Sequence, residues 1–246
     1  MDRMLYIAMA GARQIMQAQA VNASNLANAS TTGFRANLAA FQDLPVYGPG
    51  YATRVYTQAA GDGANFSQGT ITATGRALDV AINGPGWVAV QAPDGGEAYT
   101  RAGDLHISTA GLLVTASGDP VLGNSGPIAI PPHQKLAIGA DGTISLLPPG
   151  QSPATLAVVD RIKLVNPPQD QLYRGRDGLF RLKNGGTAPP DAAVQLVSGA
   201  LESSNVNAVD AMVNMMQLAR QFDMQIKLMH TAQDNATAAA RMMQIP

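Results

Sequence analysis

Two helical seams at opposite ends of the chain limit its fold more than any other feature. In the last segment Met212, Met215, Ala219, Phe222, Ile226, Met229, Gln233, Ala236, Ala240 and Met243 alternate spacings of three and four. That spacing predicts a long amphipathic helix. Met216, Leu218 and Leu228 lie off this stripe, so the apolar face is wider than one partner would cover and expects several neighbours. The opening segment repeats the spacing through Leu5, Ala8, Ala12, Ile15, Gln19, Asn22 and Leu26. Its apolar bulk is low, as alanine and amides fill much of the row. Two such helices bracketing one chain predict that the termini pair with each other, in the manner of a coiled coil.

Between them the texture is β. The runs "ALDVAI", "WVAVQA", "LHIS", "LLVT", "TISL", "LAVVDRIKLV" and "AVQLVS" are separated by turn signals such as "PDGG", "GADG" and "RDG". Asp-Gly pairs (Asp62-Gly63, Asp94-Gly95, Asp141-Gly142, Asp177-Gly178) supply the positive φ that tight hairpins need. Short strands without intervening helices predict antiparallel pairing. The expected class is therefore α+β: paired terminal helices, an extended segment and an inserted all-β domain. The expected boundaries are 1–33 with 203–246 for the helical part, 34–75 for the connecting segment and 76–202 for the β-rich part. The connecting segment has no sustained period, yet it holds Phe34, Phe41, Tyr47, Tyr51, Tyr56 and Phe66. Such aromatics argue against a disordered linker. They predict an arm pressed on the chain's own helices or on neighbouring subunits.

Composition removes several function classes. Charged residues make up 13% of the chain and the formal net charge is −1, which leaves no electrostatic footprint for nucleic acid or an anionic membrane. The densest basic stretch, "YRGRDGLFRLK" with Arg174, Arg176, Arg181 and Lys183, reads as a solvated hairpin. No cysteine is present, so disulfides, thiolate catalysis and zinc-cysteine sites are excluded. No run reaches the ~18 apolar residues of a membrane-spanning helix. The three histidines, His106, His133 and His230, sit in unrelated contexts. No nucleophile, base and acid converge, and no calcium-loop or phosphate-loop spacing occurs. We expect no catalytic site, metal, cofactor or small-molecule substrate. The opening "MDRMLYIAMAGARQ" has a short apolar run, but Asp2 and the continued periodicity favour an uncleaved start over a signal peptide.

The stretch "NASNLANASTTGFR" breaks the helical pattern with Asn22, Asn25 and Asn28 and then reaches Gly33. Gly33 is expected to supply the positive φ of a helix stop. Asn22 and Asn25 are expected at a close helix contact, where a polar seam residue fixes register at some cost in stability. Through Asn25, Leu26, Ala27, Asn28, Thr31, Gly33, Phe34 and Arg35, this stretch resembles the N-terminal signature of the flagellar axial family, the rod and hook proteins. "ALDVAINGPGWVAVQ", "YTRAGDLHISTAGLLVTASGDPVLG" and "GALESSNVNAVDAMVNMM" extend the resemblance over nearly the whole chain. Trp87 and Ser24 depart from the family's usual residues. Within the family, the length and both ends are most similar to the proximal rod subunits, with the distal rod subunits next.

The resemblance implies a structural rod subunit in the periplasm, exported by the flagellar apparatus without a cleaved signal. Its partners would be copies of itself and other rod proteins. The assembly interface would then comprise Leu5, Ala8, Ala12, Ile15, Asn22, Asn25 and Leu26 on the first helix. On the last it would comprise Met212, Met215, Ala219, Phe222, Ile226, Met229, Gln233 and Met243. A secreted β-rich binding domain with accessory helices is the alternative from another class.

Overall fold

A computed structural model describes residues 3–45, 55–150 and 156–242. The class is α+β, with two helices and short antiparallel strands. The chain divides into two compact units. One holds residues 1–29, 37–65 and 206–246, the other residues 30–36 and 66–205.

The first unit is built on α1 (Arg3–Ala27) and α2 (Ala208–Met242). They pack side by side. Asn22 of α1 lies beside Ala211, and Gly11 beside Gln225, so the helices run antiparallel. The N-terminus of α2 is capped by Asn207, whose Oδ1 accepts from the amides of Val209 and Asp210. Asp210 in the first turn and Arg241 in the last complement the helix dipole. The same unit contains β1 (Asn37–Pro45) and β2 (Val55–Ala64), paired antiparallel with a bulge between Ala40 and Phe41. Asp62-Gly63 therefore lies inside a strand, opposite Ala39 and Leu38, and not at the hairpin turn expected from its sequence.

The second unit carries the remaining strands: β3 (Ile71–Ala73), β4 (Val80–Asn83), β5 (Trp87–Gln91), β6 (Glu97–Thr100), β7 (His106–Ile107) and β8 (Leu113–Val114). After these come β9 (Lys135–Ile138), β10 (Thr143–Leu147), β11 (Ala157–Arg161), β12 (Leu164–Val165), β13 (Leu172–Arg174), β14 (Phe180–Leu182), β15 (Gln195–Ser198) and β16 (Ala200–Glu202). The largest sheet has the order β12-β5-β6-β14-β13, and a second has the order β11-β10-β9. The turn from β5 to β6 uses the "PDGG" signal as expected. Gly95 adopts φ +81°, and the Asp94 carboxylate accepts from the Gly96 amide at 2.9 Å. "LAVVDRIKLV" reads as one run but forms β11 and β12 in different sheets. The core is aliphatic, centred on Val88, Val90, Leu105, Leu113, Val121, Ile128, Ile144 and Ile162. Beside it Trp87, Phe66 and Phe180 make an aromatic cluster, with Trp87 and Phe180 ring centres 4.6 Å apart.

The segment 34–75 does not behave as one piece. Residues 37–65 group with the helices, and Phe34 and Phe66 belong to the β-rich unit. Phe41 and Tyr56 fall in β1 and β2. Tyr47 and Tyr51 lie outside the described residues.

Candidate functional site: helix faces and the signature segment

The most deeply buried residues of α1 and α2 are small. Ala8 and Ala12 on α1, and Ala211 and Ala232 on α2, are buried. Small residues let backbones approach closely, and Gly11 shows how closely. A Cβ there would sit 3.2 Å from the Gln225 side chain. Along α2 the covered row runs through Ala211, Met215, Leu218, Phe222, Gln225, Ile226, Met229 and Ala232. The row expected from sequence shares Met215, Phe222, Ile226 and Met229 with it. Met212, Ala219 and Gln233 lie exposed beside that row, and Met243 is outside the described residues. On α1, Ile15, Asn22, Asn25 and Leu26 are half-buried, and Leu5 is exposed.

What the pair leaves uncovered is strongly apolar. Met4, Tyr6, Ile7, Met9 and Met16 on α1 are exposed, as are Val209, Met212, Val213, Met216, Met224 and Leu228 on α2. Met16 keeps 57% of its surface and Met216 56%. Beyond Ala232 every described residue of α2 is exposed. The antiparallel register explains this. It brings Arg3 level with about residue 232, so the last ten or so residues, about 15 Å at 1.5 Å per residue, run past the described start of α1.

The asparagines act inside this unit. Asn22 Nδ2 donates to the Ala211 carbonyl at 2.6 Å, across the helix pair. Asn25 pairs with the backbone of Asn37 in both directions, donating to its carbonyl at 2.9 Å and accepting from its amide at 2.7 Å. It thus mimics a neighbouring strand at the start of β1. Both line a groove of about 250 Å³ with Asn37, Asn214, Gln217 and Gln221. Asn28 Nδ2 donates back to the Ser24 carbonyl at the frayed end of α1.

Gly33 corrects an expectation. α1 ends at Ala27, so Gly33 stops no helix. Its φ of +66° instead presses the chain against Arg101. A Cβ at Gly33 would lie 2.3 Å from the Arg101 carbonyl carbon and oxygen. Residues 33–36 then run beside 202–205. The Gly33 amide donates to the Glu202 carbonyl at 2.8 Å, and the Asn205 amide to the Phe34 carbonyl at 3.2 Å. Phe34 is buried with the Arg174 guanidinium 4.3 Å from its ring centre. Arg35 is buried with its Nη1 2.6 Å from Glu202 Oε1, and Arg101 Nη1 sits 3.0 Å from Glu202 Oε2. Two guanidinium groups therefore share one carboxylate that is wholly buried. Burial holds Arg101 below the usual arginine range, against the pull of Glu202. No sequence spacing marks Glu202 or Arg101 as partners of Arg35.

The hairpin expected in "YRGRDGLFRLK" forms as β13 and β14, but it is not wholly solvated. Arg174 is half-buried over Phe34 and Phe180, and desolvation lowers its pKa. Arg181 is taken up by Asp177 at 2.9 and 2.6 Å, which holds the Asp177 carboxyl below its ordinary value. Among the described residues no group of histidine and carboxylate side chains is arranged to hold a metal ion. No described helix is long and apolar enough to cross a membrane.

The chain is 45% identical over 249 residues to the flagellar basal-body rod protein FlgF of Escherichia coli, covering 99% of each. The chain belongs to the FlgF family of flagellar basal-body rod proteins. The FlgF of Salmonella typhimurium is 44% identical over 99% of both chains. The rod protein FlgG of Bacillus subtilis is 32% identical, over 95% of this chain and 96% of its own. Three family descriptions match the chain in order. "Flagella basal body rod protein" matches residues 5–35, and "Flagellar hook protein FlgE/F/G D1 domain" matches 81–146. "Flagellar basal body rod FlgEFG protein C-terminal" matches 197–242. The first ends on the docked Arg35. The third contains its carboxylate partner Glu202 and all of α2.

Proposed function

We propose that the chain is a structural subunit of the proximal rod. In this reading it polymerises through its terminal helices into a tubular shaft that transmits torque from motor to hook. Membership of the FlgF family supports the rod assignment over a distal, FlgG-type subunit. The observation that carries the polymerisation step is the uncovered apolar face of the helix pair. Contiguous exposed apolar surface of this kind marks a protein contact. Burying four or five methionine and valine side chains contributes on the order of 5–10 kcal/mol per neighbour before ordering costs. That can hold a polymer together without stiffening a free helix. Methionine also adapts to neighbours that are not identical. A repeating contact of this sort is heterologous and non-closing, which generates a helical tube. The seam residues that α1 and α2 bury against each other would set the register of each subunit, and the exposed rows would meet its neighbours.

The remaining features extend the same reading. The subunit would pass through the flagellar export apparatus and reach the periplasmic rod without a cleaved signal. It would act without cofactor, metal or catalysis.

The test is the double variant Met212→Lys/Met216→Lys in cells. Both side chains are exposed in the subunit, so the purified variant should melt within about 1 °C of wild type. Rods should be absent, and the variant should no longer co-purify with basal bodies. Normal rods carrying both lysines would sink the helix-face mechanism.

A further inference from the structure

Residues 30–36 belong to the β-rich unit, yet the chain reaches them and leaves them only through residues of the helical unit. Within the β-rich unit they are thus a separate strand of chain, held by non-covalent contacts. We propose that this unit carries a peptide-recognition site for an extended Gly-Phe-Arg sequence, which the chain's own Gly33, Phe34 and Arg35 fill in cis.

Each position is read by a different physical device. At the glycine the Arg101 backbone leaves no space for a side chain, and the positive φ excludes ordinary residues as well. At the phenylalanine the ring is buried against the Arg174 guanidinium. At the arginine the guanidinium reaches a carboxylate with no solvent exposure. Main-chain bonds fix the direction of the peptide. The Gly33 amide, the Phe34 carbonyl and the Arg35 carbonyl bond to Glu202, Asn205 and Arg174. The Ala36 amide bonds to Asn205 Oδ1 at 2.7 Å. Main-chain bonds for affinity combined with side-chain pockets for specificity are a familiar form of peptide recognition.

The receptor side has partners of its own besides the docked segment. Glu202 Oε1 accepts from the Gly69 amide at 2.9 Å and Oε2 from Arg101 Nη1 at 3.0 Å. Arg101 is itself anchored to the Gly84 carbonyl at 2.7 Å. Removing Arg35 therefore leaves a paired, oriented carboxylate facing the vacated place. Tethering gives the cis segment an effective concentration in the millimolar range. A free peptide at micromolar concentration cannot compete with it until the cis copy is weakened.

The experiment uses the full-length chain and a fluorescent peptide of residues 30–36, Ser-Thr-Thr-Gly-Phe-Arg-Ala, followed by anisotropy. Wild type should show no saturable binding. The Phe34→Ala/Arg35→Ala variant should bind the peptide at least tenfold more tightly than wild type does. Adding Glu202→Gln to that variant, or placing alanine for glycine in the peptide, should weaken binding at least tenfold. Equal binding by wild type and variant, or a peptide indifferent to its glycine, would overturn the proposal. If the double variant does not fold, each single variant is mixed with unlabelled peptide and followed by emission of Trp87, the chain's single tryptophan. Peptide-dependent recovery of the native spectrum supports the site, and its absence in both counts against it.

Discussion

Glu202→Gln is the sharpest perturbation the structure offers, because the substitution keeps the shape of the side chain while deleting its charge and one of its two acceptor oxygens. Arg35 is 1% exposed, Arg101 6% and Glu202 0%. Without the carboxylate two buried guanidinium groups face each other with no counter-charge. Leaving a buried charge unpaired costs about 3–5 kcal/mol. For a unit of about 150 residues each kcal/mol moves Tm by about 2–4 °C, so the expected loss is roughly 6–20 °C. The assay is thermal denaturation of the full chain followed by Trp87, which reports the β-rich unit. A second variant separates charge from shape. Arg35→Met combined with Glu202→Gln removes one of the two stranded cations and should melt above Glu202→Gln alone. A drop smaller than about 3 °C, or a double variant that melts no higher, would refute the charge argument.

Gly33→Ala should destabilise the β-rich unit by about 2–4 kcal/mol, from the left-handed φ and the overlap with the Arg101 backbone. A melt within 1 °C of wild type would exclude that overlap. Asn25→Ala should raise exchange of the Asn37 amide about tenfold, since both bonds to that backbone are lost. The Trp87-detected melt should not move. Asp104→Asn should raise Tm at neutral pH. Burial, with Asp79 adding to it, pushes the Asp104 carboxyl above its ordinary value, and its Oδ1 has no donor among the described residues. A raised carboxyl favours the folded state most below its unfolded pKa of about 4. That contribution is lost as pH rises through the folded value, so the variant's advantage should vanish near pH 3. An advantage independent of pH would exclude titration of Asp104 as its source.

Local features were legible in the sequence because they are decided by neighbours along the chain. Spacing of three and four marked α1 and α2, and the Asp-Gly turns at Gly95, Gly142 and Gly178 all adopt positive φ. The same local logic failed at Asp62-Gly63, where strand pairing absorbed a turn signal. It also failed in "LAVVDRIKLV", where Val158 stays 67% exposed and Ile162 is 1% exposed. The covered row on α2 shows the limit most clearly. The rows through Met212 and through Ala211 are adjacent, and periodicity cannot choose between them. Tertiary packing chose the row with alanines at 211 and 232, and on α1 it likewise buried the small residues Ala8 and Ala12.

Gly33, Phe34 and Arg35 stood out in the sequence as part of a family signature, but their physical task did not. The sequence by itself determined that the helical pattern would break here, through the asparagines and then Gly33, and that an aromatic arm would begin at Phe34. Only the tertiary structure decided that Arg35 would be buried against Glu202 and Arg101. A buried charge is tolerated only where its counter-charge arrives, and that partner comes from a strand far along the chain.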